Sequence, residues 1–268
     1  SRPILTPANP KRSVDLKLER FAILKAATNW TEKAALVRLG GKDPANDIRT
    51  VGSNYSLTGG ILDGSGVADG VSIDGGRETA IRDVSIKHVR IGVHVKKGAN
   101  NGSSDADIAN VNIVGNEAND SIGLLVEGFD NTFANMRIAS VMTGVDVRTG
   151  GNIFRDIHPL YTCWKYRDYE RSVGFVNRAP NNWYDFCYSD NFAIGFKLYG
   201  NGHSQFDRCF VWWYSAFGKQ HTAIHTVNRF EATFTDLKVG FKAPSETNVI
   251  LKEGEKGGKG ELIRVRHN

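Results

Sequence analysis

One short phrase recurs along the chain: Gly70-Val71-Ser72-Ile73-Asp74, Gly92-Val93-His94-Val95-Lys96, Gly123-Leu124-Leu125-Val126-Glu127, Gly144-Val145-Asp146-Val147-Arg148 and, more loosely, Gly195-Phe196-Lys197-Leu198-Tyr199. A glycine followed by alternating apolar and polar residues, returning after 22, 31, 21 and 51 positions, predicts a solenoid whose rungs are β-strands. The long last gap is worth about two rungs, and Gly174-Phe175-Val176 inside it reads as one residue out of phase. The second and fourth residues of each phrase are expected to point into a core and the third and fifth outward. Stacked rungs turn those outward residues into columns on one surface.

A second repeat lies between the glycine phrases, with an apolar residue two places before an Asp or Asn and another directly after it. It reads Ile81-Arg82-Asp83-Val84, Ile108-Ala109-Asn110-Val111, Phe133-Ala134-Asn135-Met136, Phe154-Arg155-Asp156-Ile157 and Trp183-Tyr184-Asp185-Phe186. Phe206-Asp207-Arg208-Cys209 and Phe230-Glu231-Ala232-Thr233 continue it in weaker form. Positions 83, 110, 135, 156 and 185 are separated by 27, 25, 21 and 29 residues, matching the first repeat. Asp and Asn bond their own nearby backbone and tolerate tight corners, so this column is read as the bend between two strands of each rung. Trp183, Phe186 and Phe206 fit inward positions beside it.

With rungs of about 20 to 30 residues, 268 residues hold roughly nine coils in one elongated domain. Residues 1–49 are expected to form an irregular cap or the first coils, 50–250 the regular coils, and 251–268 a last strand and tail. Helix-period patterns are scarce, so an all-β protein is expected. The net charge of +5 suits an acidic polymer. Its basic residues are not gathered into one stripe, apart from the Gly- and Lys-rich end, so nucleic acid is set aside as a partner. No apolar run approaches the ~18 residues of a membrane span, and no export address is visible. The three cysteines Cys163, Cys187 and Cys209 are read as buried free thiols; they show no metal-ligand spacing, and no cofactor is called for.

Asn54 to Asp74, with Leu57-Thr58-Gly59-Gly60-Ile61-Leu62-Asp63-Gly64-Ser65-Gly66 followed by Ala68-Asp69-Gly70-Val71, resembles the early rungs of right-handed parallel β-helix proteins of the pectate-lyase-like superfamily. As a rung pattern the resemblance covers most of the chain. It implies a single-stranded right-handed parallel β-helix, and long carbohydrate chains lying along its outer face. The superfamily includes pectate lyases, polygalacturonases, polysaccharide epimerases, fructan-cleaving transferases and phage tailspikes. An extracellular or virion-associated location and a homotrimer are further expectations of that resemblance. Its sharper signatures are missing. Of the polygalacturonase segments only Ala68-Asp69-Gly70 is similar to one, no Asp-Asp pair occurs, and His203 stands in Asn201-Gly202-His203-Ser204 instead of between two glycines. Phe210-Val211-Trp212-Trp213-Tyr214 lacks the Asp and His of the similar pectate-lyase segment.

Candidate chemistry therefore comes from the columns. The third-position column is Ser72, His94, Leu125, Asp146 and Lys197, and the fifth is Asp74, Lys96, Glu127, Arg148 and Tyr199, with His225 a possible extension. Strands lie ~4.8 Å apart, so Asp146 and Glu127 on adjacent rungs come within the roughly 5 to 9.5 Å carboxylate separations of glycoside hydrolysis. Mutual repulsion would raise one while Arg148 and Lys96 hold the other ionised. A lyase or epimerase needs instead a base beside a uronate and a cation for the developing charge, with His94, Lys197 or Arg148 as candidates. The same alternation of Asp, Lys, Glu and Arg is also how a solvated sheet face pairs its charges. Tyr161 to Phe217 is dense in aromatics whose flat faces suit sugar rings. Here Tyr161, Trp164, Tyr166 and Tyr169 lie in a long insert, and His158 is expected to face outward. Asp190, His203 and Asp207 form a further acid/base candidate set.

Two readings of function follow. One is a carbohydrate-active enzyme that cleaves or rearranges a polysaccharide or oligosaccharide, with Asp146, Glu127, Arg148 and His94 catalytic and Lys96, Lys197, Tyr199, His158, Tyr161 and Trp164 binding substrate. The other is a non-catalytic carbohydrate-binding or tailspike-like fibre module. A fragment whose site is completed by a neighbouring subunit is a third possibility.

Overall fold

The computed structural model describes residues 2–5, 13–31, 34–40, 54–97, 103–163, 168–199, 202–214, 221–227, 231–242, 249–252 and 263–266, the last two segments for their backbone alone. Among these residues the protein is all-β, apart from one 3-10 turn at Tyr169–Arg171. No helix among the described residues is long and apolar enough to cross a membrane.

The glycine phrases form one parallel sheet of ten strands: Ile4–Leu5, Ala35–Leu39, Asp69–Ile73, Ile91–Val95, Ile122–Val126, Thr143–Val147, Val173–Asn177, Ile194–Leu198, Thr222–Thr226 and Val249–Lys252. Each strand pairs with the corresponding strand of the next repeat, as Val71 with Val93, Val93 with Leu124 and Leu124 with Val145. Gly174 proves to be in phase, because Val145 pairs with Phe175 and Asp146 with Val176. What disguised it is Asn177, a buried polar residue in the inward fourth position. Its amide donates to Ser204 Oγ (3.2 Å), and its carbonyl accepts from Asn182 (2.9 Å) and the Tyr184 hydroxyl (3.1 Å). The glycine itself is required by close approach: a Cβ on Gly92 would stand 2.5 Å from the Gly123 carbonyl oxygen, and one on Gly144 would meet the Gly174 carbonyl.

The second repeat builds a sixteen-stranded parallel sheet with two arms. One arm runs through Val14–Lys17, Tyr55–Thr58, Ala80–Arg82, Trp183–Asp185, His203–Asp207, Glu231–Thr235 and Ile263–Arg266; the other holds Ile23–Lys25, Ile61–Asp63, Ser85–Val89, Tyr188–Asp190, Phe210–Trp213 and Lys238–Phe241. The long strands Asp107–Gly115, Thr132–Ala139 and Ile153–Leu160 pass through both. Two long parallel sheets, the first gaining one strand per repeat and the second one on each arm, are compatible with a parallel β-helix.

The bend between the arms is a column of residues at positive φ: Asp83, Asn110, Asn135, Asp156, Phe186, Arg208 and Asp236, with φ between 49° and 59°. Asn135 donates to Asn110 (2.8 Å) and Asn110 to Asp83 (2.9 Å), so the corner is laced by its own side chains. Two expectations need correction. The corner of the fifth repeat is Phe186, with Asp185 a strand residue opposite Arg155, and the last is Asp236 after Phe234. Consequently Tyr184 takes the inward place, while Trp183 and Phe186 are 45% and 56% exposed. A bulky side chain at such a φ costs about 1 kcal/mol that Asn would not.

Inside, like stacks on like. Phe133, Phe154, Tyr184, Phe206 and Phe234 form a continuous stack with centroids 4.4–4.9 Å apart. Cys187 and Cys209 occupy the inward place that Met136 and Ile157 hold in earlier repeats, and with Cys163 they are buried and free. Burial pushes the Cys163 thiol up to about 12.

At the opposite corner runs a buried amide ladder. Asn131 donates through its amide nitrogens to Asn152 Oδ1, and Asn152 likewise to Asn182 Oδ1 (3.0–3.3 Å). Asn152 Nδ2 also caps the Thr149 and Gly150 carbonyls. Replacing Asn152 with Ala leaves those buried groups unpaired, and urea denaturation is expected to show a loss of about 2–3 kcal/mol.

Candidate functional site

Both outward columns form as the phrase predicts. In register, the third column runs Arg38, Ser72, His94, Leu125, Asp146, Val176, Lys197, His225. Successive backbone bonds place Asp74, Lys96, Glu127, Arg148, Arg178 and Tyr199 in the fifth. The third column points out of the core yet is largely covered, with Ser72 at 2% and Asp146 at 3% exposure. Long side chains of the fifth column lie over it.

The charges form two linked groups. Asp74 accepts from Ser72 (2.6 Å) and from Arg38 Nε (2.6 Å), and pairs with Lys96 (2.7 Å). Burial alone would raise its carboxyl, but these donors and the Lys96 charge hold it below the usual range. In the second group His94 Nε2 donates to Glu127 (2.8 Å), and Arg148 reaches both Glu127 (2.7 Å) and Asp146 (3.1 Å). Arg178 grips the other oxygen of Asp146 (2.7 Å). The guanidinium of Arg178 and the ammonium of Lys197 both lie over the Tyr199 ring, 4.7 and 5.3 Å from its centre.

This arrangement sets protonation. Burial opposes ionisation of Glu127, but His94 and Arg148 outweigh it and hold the carboxyl below its ordinary value. Burial also pushes the His94 imidazole down, more strongly than Glu127 pulls it up. His94 is therefore neutral at pH 7. Because Glu127 accepts from Nε2–H, the ring's lone pair is at Nδ1. Asp146 and Glu127 share one guanidinium, and Glu127 is not driven toward its acid form.

His94 lines a cleft of about 390 Å³ with Arg38, Asp69, Ser72, Arg90 and Lys96. Asp69 accepts from Arg90 (2.8 Å) and the Ile91 amide (3.1 Å), and burial pushes its carboxyl up against the pull of Arg90. Three cations line the cleft with one carboxylate, but Arg38 and Lys96 are bound to Asp74 and Arg90 also lies 3.7 Å from Asp120, so a bound anion would share cations that already have partners.

Arg38, Arg90 and Arg178 were not singled out from sequence. The strand of Arg38 carries Leu36 where the phrase has glycine, Arg90 lies in a connection, and Arg178 was hidden by the apparent phase shift of Gly174.

Other expected site residues lie elsewhere. Tyr161 is 1% exposed, packed edge-on against Tyr169 and Phe192, so its ring has no surface for a sugar; Tyr169 is buried likewise. Trp164 and Tyr166 lie outside the described residues. His158 faces outward on the other sheet, stacked on Tyr188 at 4.2 Å with Asp190 3.7 Å from Nε2. Burial and the Asp190 charge push the Tyr188 phenol up to about 12. The proposed set of Asp190, His203 and Asp207 is not gathered: His203 bonds Thr233 (3.0 Å), and Asp207 lies beside Arg208 (3.5 Å).

No family model matches the chain, and no curated protein matches it in sequence.

Arg148 is the shared partner of two carboxylates, one of them almost fully covered. Arg148→Met is expected to destabilise by about 1–3 kcal/mol, the half-exposed guanidinium limiting the effect. The loss should shrink when Asp146→Asn is introduced alongside, as a double-mutant cycle by chemical denaturation would register.

Proposed function

We propose that the chain winds as a right-handed parallel β-helix of about nine coils and acts on a polysaccharide along the face of the glycine phrases. The observation that carries this reading is the neutral His94, oriented by Glu127 and lining a cleft with Arg38, Arg90 and Lys96. Among the reactions open to such a protein, proton abstraction beside a uronate carboxylate fits best. His94 Nδ1 takes the proton from the carbon next to the carboxylate, and the cations neutralise the charge that develops on the carboxylate oxygens. The electron pair then forms a carbon–carbon double bond as the bond to the glycosidic oxygen breaks, and that oxygen takes a proton from water, giving an unsaturated uronate end and a new hydroxyl end. Reprotonation on the other side would give epimerisation instead.

Hydrolysis by Asp146 and Glu127 is less well supported, because both carboxylates are bound to Arg148 and Glu127 is held ionised. A non-catalytic binding or fibre module, trimeric as in tailspikes, remains the alternative. What favours it is that Asp74, Glu127 and Asp146 are each engaged by cations, the pattern of a sheet face that pairs its own charges.

The test is a panel of uronate polymers, fructans and bacterial capsules, followed by new reducing ends and by the ultraviolet absorbance of unsaturated uronate. Absorbance with reducing ends is expected. Reducing ends alone would transfer the chemistry to the carboxylate pair, and silence with binding would establish the module. If His94 is the base, its depressed pKa sets the acid limb: the rate should fall on acidification with a midpoint below ~6.5, the ordinary histidine value. His94→Gln should lower kcat by at least about 100-fold.

A further inference from the structure

A larger cavity, about 830 Å³, lies at the positive-φ corner, on the sheet that does not carry the glycine phrases. That volume is within the ~300–1,000 Å³ of small-molecule sites. Two of its walls are the corner residues Phe186 and Arg208, which stand where other repeats place Asp or Asn. Phe186 is 56% exposed in a backbone conformation that a bulky side chain resists, so neither local geometry nor core burial accounts for it. The floor is aromatic. His158, Tyr188 and Phe210 stack face to face at 4.2 and 4.8 Å, and Phe210 ends the stack because the next residue in its column is Lys238. The rim carries Asp156 and Asp236 against Arg208 and Lys238. Two carboxylates and two cations line the rim, and Arg208 is also bound to Asp185 (2.6 Å), so the groove carries no positive excess.

We infer that this corner groove is a second carbohydrate site, taking a neutral saccharide. The apolar C–H face of a sugar ring rests on Phe186 and the half-buried Phe210, and the mixed rim donates to and accepts from its hydroxyls. Such a site holds a glycan away from the glycine face and does not depend on the chemistry assigned to His94.

Phe186→Asn tests the inference without threatening the fold, since Asn already occupies this corner at positions 110 and 135. Cellohexaose, maltohexaose and mannohexaose would be titrated against the labelled protein, with hexagalacturonate as the anionic comparison, and backbone amide shifts followed by NMR. A neutral hexasaccharide is expected to shift the amides of Phe186, Phe210 and Lys238. Phe186→Asn should weaken that binding at least tenfold while its melting temperature equals or exceeds that of the parent, and His94→Gln should leave the shifts intact. The inference fails if no neutral hexasaccharide moves these amides, or if only hexagalacturonate does. It fails equally if Phe186→Asn lowers the melting temperature and leaves affinity within twofold, which would make Phe186 a structural partner for the Arg208 guanidinium 4.7 Å from its ring.

Discussion

Parallel pairing at about 4.8 Å sets each residue directly against its equivalent in the next repeat, and what a column contains is decided by which residues tolerate their own kind as neighbours. Aromatic rings do so well, and Phe133 through Phe234 form one stack. Amides do so because each is both donor and acceptor, which lets Asn131, Asn152 and Asn182 form a ladder at one corner while Asp83, Asn110 and Asn135 lace the other. Charges cannot. The fifth column therefore alternates sign from Asp74 through Lys96 and Glu127 to Arg148, and where Arg178 follows Arg148 both reach Asp146 of the adjacent column.

That same constraint generates the site. A column forced to alternate becomes a chain of ion pairs, and a titratable residue placed within it takes its protonation from the neighbours it is given. His94 sits opposite Ser72 and Leu125, neither of them charged, and meets Glu127 from the adjacent column. Burial, helped by the Lys96 charge, then outweighs the pull of Glu127 and Asp69 and leaves a neutral, oriented imidazole. Arg148 takes the opposite part. Lying between Glu127 and Asp146, it bonds both and helps to hold Glu127 ionised.

Departures from like-on-like are the informative positions. Asn177 breaks an apolar column and is answered by Asn182, Ser204 and Tyr184. Phe186 and Arg208 break the polar corner and are answered chiefly by each other, by Asp185 and by an open groove. The first departure is fully satisfied inside the protein. The second leaves an aromatic ring facing solvent, and that difference separates a structural substitution from a candidate binding surface.

The repeat alone determined the all-β class, the parallel register of the glycine phrases, the outward columns from Ser72 to Asp146 and from Asp74 to Arg148, and the corner from Asp83 to Asp156, because each depends only on period and on residues that recur at it. The buried amide ladder was not read from sequence, although Asn131, Asn152 and Asn182 each stand two places before an inward ring, because the inward place of Tyr184 had first to be known. Tertiary structure decided the rest. The phase of Gly174, the inward turn of Tyr184 in place of Trp183, and the corner at Phe186 were settled by pairing across repeats, which a single irregular repeat does not reveal. Burial withdrew Tyr161 from the surface, since density of aromatics does not say which rings the core will take. The cleft around His94 required Arg38 and Arg90. Arg38 stands 56 positions from His94 and reaches the cleft only through strand stacking, whereas Arg90, four residues before His94, lies in the connection that leads into the same strand.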